Sequence, residues 1–548
     1  MKANVEQLHT YFLFPFSIDQ DAVMEDHAKI WTQRQHWFGN LDTWVTQHVA
    51  CEYEAVAKEL GGWRRCSHQR FDLGSSAYQD MVFFHPFVRQ IFFDTGDHNQ
   101  DHDALLRCYS ITLPPNRRLL YDAEDVHGHS ASAAVTDLRL SLFANGVSIL
   151  TIGIQAADLT YTHTLWMNEM MRKIYPSSDR QLASGRMPNR VALVLEENSE
   201  RRVLVEEKFE DCGLMGFRPR LSKILLALLY FAQYEQEEFE PILDERMIVN
   251  TFVSLSREGL PSGFEHSDDY EIAMSRLLYV DRDGEGYRYD PDFIRGQMAK
   301  DVYRRWQHEG TLYGMTSYSN VTMTLAQPGQ EPLVYRMFTT KNHFIAMVAL
   351  FYRATLLDFA KESALVSRQL FPIFSGQIVR HHHIQMATRL MADYHYFNNY
   401  WFFNEITTKD EELEHFQLFC SAYRIEEIRN ELGDEIRKLA GYIDRLYALR
   451  NNDAVNRLAL LSMILGIGAL VTGYYGMNIP HLATILNDGR ISVGSLIATS
   501  IMALLSLVLI AYIVVTNWVD YRASLVPHSF RRPLPDKSLR RQASITQR

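Results

Sequence analysis

The chain has 548 residues, 47% of them hydrophobic and 22% charged, with a formal net charge of −11. That length allows two or three domains, and the charged share is that of a largely water-soluble body. The acidic balance excludes a general nucleic-acid binder, which would carry a basic face, and it suits a surface that attracts divalent cations. Cys51, Cys66, Cys108, Cys212 and Cys420 are scattered, odd in number and lack CxxC or zinc-finger spacing, which points to a reduced compartment. The first residues, Met1-Lys2-Ala3-Asn4-Val5-Glu6, lack the basic and apolar regions of a signal peptide. The N-terminal part is therefore expected to stay in the cytoplasm.

Taken in chain order, residues 81–93 and 105–113 read as strands. Asp137-Leu138-Arg139-Leu140-Ser141-Leu142-Phe143 alternates in polarity, Asn145-Gly146 supplies a turn, and residues 147–154 are apolar. This is a hairpin signature. Residues 159–175 and 221–236 read as helices, the second of them a core helix. An α+β domain over residues 1–340 follows. Within it, Asp94, Asp97, His98, Asp101, His102 and Asp103 form a dense polar segment, read as a solvated loop because nothing enforces metal geometry. Asp281, Asp283, Glu285, Gly286, Tyr287, Tyr289 and Asp292 fall at EF-hand loop positions, but Arg288 and Asp292 break the pattern. A hairpin built from Leu278-Tyr279-Val280 and Tyr287-Arg288-Tyr289 is the preferred reading there. No GxSxG, HExxH, Walker loop or Rossmann fingerprint occurs, so an enzyme is not supported.

Residues 342–404 read as helical with a break at Pro372, and residues 344–357, interrupted by Arg353, as a core helix. His381-His382-His383 cannot chelate one ion on a helix, because neighbours point about 100° apart. The aromatic run from Tyr394 to Asn404 is assigned to packing ahead of a base-stacking surface. From Lys409 to Asn452 no proline occurs. Ile425, Ile428, Leu432, Ile436, Leu439, Ile443 and Leu446 keep a three-four rhythm. The pattern predicts a helix on the order of 100 Å long that continues into the first apolar segment, and a length of this kind suggests an oligomeric stalk.

Residues 458–475 and 491–517 carry no charge, and the second run ends at Trp518. Each is long enough to cross a bilayer. Arg522, Arg531, Arg532, Lys537, Arg540, Arg541 and Arg548 follow the second run, whereas the connecting loop holds only Arg490. The positive-inside bias then places both termini in the cytoplasm and the loop outside. Ala459, Ser462, Gly466, Ala469 and Gly473 recur at spacings of three and four, one helical face. Such a face serves close helix packing or lines a pore. Asn452 and Val455 lie on it one turn earlier.

The face leads to Gly473-Tyr474-Tyr475-Gly476-Met477-Asn478. This stretch resembles the Gly-x-Tyr-Gly-Met-Asn signature of the CorA-type divalent-cation channel family. The chain is then expected to divide into an α+β cytosolic domain (1–340), a long-helix stalk (341–456), a two-helix membrane hairpin (457–518) and a basic cytosolic tail (519–548). The hairpin over residues 137–154 resembles strands of the family's cytosolic domain, whereas the rest of residues 1–340 is long for the family and departs from its pattern. The resemblance implies a homopentamer in the cell (inner) membrane. The first membrane helix would line the pore through Asn452, Val455, Ala459, Ser462, Gly466, Ala469 and Gly473. Gly476, Met477 and Asn478 would form the ion entry. It further implies Mg2+, or Zn2+ or Co2+, as substrate, with divalent ions bound between cytosolic domains holding the pore closed. No organic cofactor and no nucleic acid are implied. Family members place acids soon after the motif; here the loop reaches its only acid at Asp488. Two other expectations stand beside this one. One is a CorA-like effector gated by a cytosolic ligand such as a signalling nucleotide; the other is a membrane-anchored interaction protein without transport.

Overall fold

The structure is a computed structural model that describes residues 3–19, 34–66, 80–94, 105–175, 185–209, 221–243, 246–282, 289–326, 331–371 and 381–476, with 497, 500, 501, 504, 505, 508 and 512. The chain divides into two compact units, residues 1–436 and 437–548.

The first unit is built on one 13-stranded mixed sheet. Its strands are β1 (Asn4–Ile18), β2 (Arg64–Arg65), β3 (Leu106–Ser110), β4 (Arg117–Glu124), β5 (Ser130–Phe143), β6 (Val147–Thr160), β7 (Arg190–Glu197), β8 (Glu200–Lys208), β9 (Phe239–Pro241), β10 (Ile248–Leu255), β11 (Val302–Tyr303), β12 (Thr311–Met315) and β13 (Ser319–Leu325). They run in the order β11-β12-β13-β10-β1-β6-β5-β4-β7-β8, with β2 on β3, β3 on β5 and β9 on β1. The β10–β13 pair is parallel. β1 lies at the centre between β10 and β6 and is buried along most of its length. A strand covered on both faces reads as a near-continuous apolar run, which is why alternation gave no sign of it.

The predicted hairpin is present as β5 and β6. Its loop is Ala144-Asn145-Gly146: the Gly146 N–H donates to the Phe143 carbonyl at 2.9 Å, and Gly146 takes φ 93°. A type I turn closed by a left-handed glycine is the usual three-residue solution. Residues 105–113 contain β3 as expected. Residues 81–93 do not form a strand. Pro86–Phe92 is a helix with Pro86 in its first turn and Val88, Ile91 and Phe92 buried. The apolar spacing there is three and four, and proline at the helix start presets φ. The two predicted helices are shorter than expected, Tyr161–Met171 and Lys223–Leu228.

The hairpin preferred around residue 283 is also overturned. Asp268–Tyr279 is a helix capped by the Ser267 hydroxyl on the Tyr270 N–H, with Asp268, Asp269 and Glu271 in its first turn. Val280 ends it at φ 54°, and a second helix, Pro291–Asp301, starts from an Asp290 cap. Cap and helix dipole outweigh the β propensity of Leu278-Tyr279-Val280.

After the short helix Glu331–Met337, four longer helices follow the sheet among the described residues: α1 (His343–Leu370), α2 (His381–Tyr396), α3 (Asp410–Ala422) and α4 (Ile425–Gly476). α1 packs on β1 and β6. The helical run Leu333–Leu370 is long and apolar enough to cross a membrane, yet 72% of its most apolar window is buried inside the protein. It is the core helix expected for residues 344–357. α1 stops at Leu370, before Pro372. Phe397 and Trp401 of the aromatic run are buried in a π-helical turn, and Tyr352 donates to the Trp401 carbonyl at 3.0 Å. The run is packing, as expected.

The long helix begins later than predicted. Arg424 takes φ 54° between α3 and α4, and its side chain pairs with Glu427 across the first turn of α4. Ile425, Leu432 and Ile436 are buried at 0–2% exposure. Tyr394 of α2 donates to the Arg429 carbonyl at 3.0 Å, and the Arg429 guanidinium lies over Phe402. This part of the expected stalk thus buries its apolar face within its own chain. In the second unit Leu439 and Ile443 are also buried.

Candidate pore helix and a cavity in the N-terminal unit

Asn452, Val455, Ala459, Ser462, Gly466, Ala469 and Gly473 all lie on α4, and all are exposed. Leu458, Leu461 and Leu465 are 58–68% exposed beside them. Contiguous apolar surface of this kind marks a face that lipid or protein covers. Among the described residues, a Cβ built on Gly466 or Gly473 meets nothing within 4 Å. Each glycine costs a helix about 1 kcal/mol relative to alanine, and among the described residues no close packing offsets that cost at Gly466 or Gly473. Gly476 is the last residue of α4. Met477, Asn478, the connecting loop and the basic tail lie outside the described residues. So does most of the second apolar segment, where Ile497, Ile501, Leu504, Leu505, Val508 and Tyr512 are helical and exposed.

The sheet of the first unit has two unlike faces. One carries Leu8, Phe12, Leu138, Leu140, Ile152, Ile154, Val249 and Val253 into the main apolar core, with Leu165 and Met170 of the Tyr161–Met171 helix. The other face carries His9, Tyr11, Asp137, Arg139, Gln155, Asn250 and Asn320, which register places side by side across β5, β6, β1, β10 and β13. The helix from Glu331 and the π-helical turn Phe338–Asn342 meet this polar face. His9 Nδ1 lies 2.9 Å from the Tyr335 hydroxyl and 3.1 Å from Gln155 Nε2. Asn250 Nδ2 lies 3.3 Å from His343 Nδ1, and Asn320 donates to Asn250 at 2.8 Å. Burial, helped by the Arg139 charge, holds His9 neutral with its pKa lowered to about 4, and the same causes lower His343 to about 3.

At the β5 end the polar layer opens into a cavity of about 710 Å³. Its cause is a bulge. Val135 pairs with Ile154 and Asp137 with Gly153, leaving Thr136 extra. Across the same positions β5 exchanges its outer partner, from β4 at residues 130–135 to β3 at 139–143. Bulges bend a strand and re-aim its side chains. Asp137 receives both Nε and Nη2 of Arg139 at 3.0 Å, and the Tyr11 hydroxyl at 3.3 Å. Gly153 leaves the room: a Cβ there would sit 2.8 Å from the Asp137 Cβ and 3.0 Å from the Tyr11 ring. Cys66 and Cys108 also line the cavity; burial raises both thiol pKa values, which leaves them as apolar lining rather than nucleophiles. Cys66, Cys108 and Cys420 are free thiols.

The remaining sequence candidates fall differently. Asp94 is fully buried and holds Arg65 at 2.7 Å and the Cys108 N–H at 3.0 Å. It anchors structure. Asp97, His98, Asp101, His102 and Asp103 lie outside the described residues, as do Asp283, Glu285, Gly286 and Tyr287. Asp281 accepts from the Tyr289 hydroxyl, and Asp292 pairs with Arg295. Among the described residues no group of three or more His, Cys, Asp or Glu is arranged to hold a metal ion. Sequence reasoning missed the polar layer, although the alternation Asp137, Arg139, Ser141 in β5 was its visible trace.

Residues 403–515 match the family model described as CorA-like Mg2+ transporter protein. The match begins in the aromatic run, takes in α3 and α4 and ends within the second apolar segment. No curated protein matches the chain. The long helix α4 lies inside the stretch that is similar to this transporter family. The similarity to the CorA-like family is thus confined to residues 403–515.

Proposed function

We propose that the protein is a homo-oligomeric, pentameric membrane channel or transporter for divalent cations, with Mg2+ as first substrate and Zn2+ or Co2+ as alternatives. Its termini are cytoplasmic. The first membrane helix, the C-terminal part of α4, lines the pore through Asn452, Val455, Ala459, Ser462, Gly466, Ala469 and Gly473. Gly476, Met477 and Asn478 stand at the outer mouth. The observation that carries this reading is the exposed small-residue face of α4, where a Cβ at Gly466 or Gly473 would meet nothing within 4 Å among the described residues, within the segment that matches the CorA-like model. Mg2+ sheds its water reluctantly, so a ring of carbonyl and amide oxygens selects the hydrated ion without stripping it. The domains 1–340, 341–456, 457–518 and 519–548 then serve as sensing body, stalk, pore and tail.

The test is flux into liposomes that carry the purified chain and an internal Mg2+-sensitive dye, repeated with Zn2+ and Co2+. Asn478→Ala is expected to lower flux roughly tenfold or more, because the filter loses one oxygen per subunit. Unchanged flux in that variant overturns the filter assignment.

A further inference from the structure

The cavity at the β5 bulge has the volume of a small-molecule site, within the roughly 300–1,000 Å³ that such sites span. Its lining is divided. Met81, Ile111, Leu119, Phe344 and Met347 give one apolar side; Ser110, Thr112, Ser141, Thr151, Gln155 and Thr340 give hydroxyl and amide groups. Its charges are Arg117, Arg118, Arg139 and a single carboxylate, Asp137.

These charges select the kind of guest. Asp137 is already engaged by two Arg139 nitrogens and the Tyr11 hydroxyl. A divalent cation needs several oxygen ligands, usually with more than one carboxylate, and here it would meet three guanidinium groups. Arg117 is held at the rim by Glu59 at 3.5 Å and Glu197 at 3.1 Å. Arg118 is exposed and makes no ion pair among the described residues; Glu196, opposite it in β7, is bound by Arg201 at 3.1 Å. The Arg139 side chain is 41% exposed and keeps Nη1 outside its bonds to Asp137. Two guanidinium groups thus present donors to the cavity, and a guanidinium suits carboxylate or phosphate oxygens.

We propose that this cavity is a binding site for a small organic anion, with an apolar or aromatic body against Phe344 and Met347 and a phosphate or carboxylate group at Arg118 and Arg139. The site lies wholly in residues 66–347. It does not depend on the transport reading, and its test uses no ion flux.

The test is calorimetric titration of the full chain in lipid nanodiscs. The probes are adenosine 5′-monophosphate, phenyl phosphate and 2-naphthoate, then adenosine and 2-naphthol as neutral parents, and inorganic phosphate and MgCl2 alone. At least one organic anion is expected to bind, and its neutral parent to bind roughly tenfold or more weakly, the worth of one charge-assisted contact. Preference for the phosphates or for the naphthoate identifies the anionic group. Arg118→Glu, at an exposed position, is expected to weaken that binding by roughly tenfold or more. Thr112→Trp, at the exposed rim, narrows the mouth without altering charge and is expected to weaken it as well. The proposal is overturned if no organic anion binds, if inorganic phosphate alone binds as tightly, if MgCl2 occupies the site, or if binding survives both variants.

Discussion

His9 and His343 show how single residues tie the polar layer to pH. Arg139 and Asp137 of β5, Gln155 of β6, Tyr11 of β1, Asn250 of β10 and Tyr335 of the covering helix surround the two rings. Both imidazoles are neutral in the fold, with pKa values of about 4 and about 3 in place of the usual 6.5. The unfolded chain therefore binds protons first as pH falls below 6.5. Stability is fully present above that pH and is lost as pH falls toward 4. For His9 the loss amounts to about 3 kcal/mol. Urea unfolding of the full chain between pH 7.5 and 4.5 should show this slope, and His9→Asn should flatten it. An unchanged slope in that variant would remove His9 from the account.

At the scale of elements, Gly153 and the bulge beside it decide whether the cavity exists. Gly153→Ala puts a methyl 2.8 Å from the Asp137 Cβ, in a strand paired on both sides. Overpacking of this kind costs about 2 kcal/mol. Thermal unfolding should register the loss, and a Tm equal to the parent would show that the strands give way. The elements also show what sequence made legible. The β5–β6 hairpin was readable because alternation and Asn145-Gly146 are local. α1, the packing role of the aromatic run and the rhythm of α4 were readable because helical periodicity needs no partner. β1 was hidden by its burial on both faces, and the start of α4 by a left-handed arginine that no composition signals. The polar layer was out of reach for another reason. It gathers residues from 9 to 343, and strand pairing over such separations leaves almost no local mark.

For the whole molecule, the exposed face of α4 is an assembly argument. Among the described residues Gly466 and Gly473 leave open space, and Val455, Leu458, Leu461 and Leu465 are exposed. Light scattering of the detergent-solubilised protein should give about five times the 63.6 kDa chain mass. Gly466→Phe should break the assembly or abolish flux. A monomer that still conducts would sink the oligomeric pore. The motif residues Met477 and Asn478 rest on resemblance alone, whereas the helix that leads to them is visible in the fold.

The apolar run Leu333–Leu370 poses a problem of timing during synthesis. A ribosome delivers it before residues 458–475, and by length and composition a membrane-insertion machinery has reason to accept it. Every strand of the 13-stranded sheet precedes it in the chain. The surface that must capture this helix is therefore complete when the helix emerges. Capture sets Tyr335 against His9 and His343 against Asn250, polar partners that hydrocarbon does not offer. Chain order and side-chain chemistry together hold this run against the sheet of the first unit.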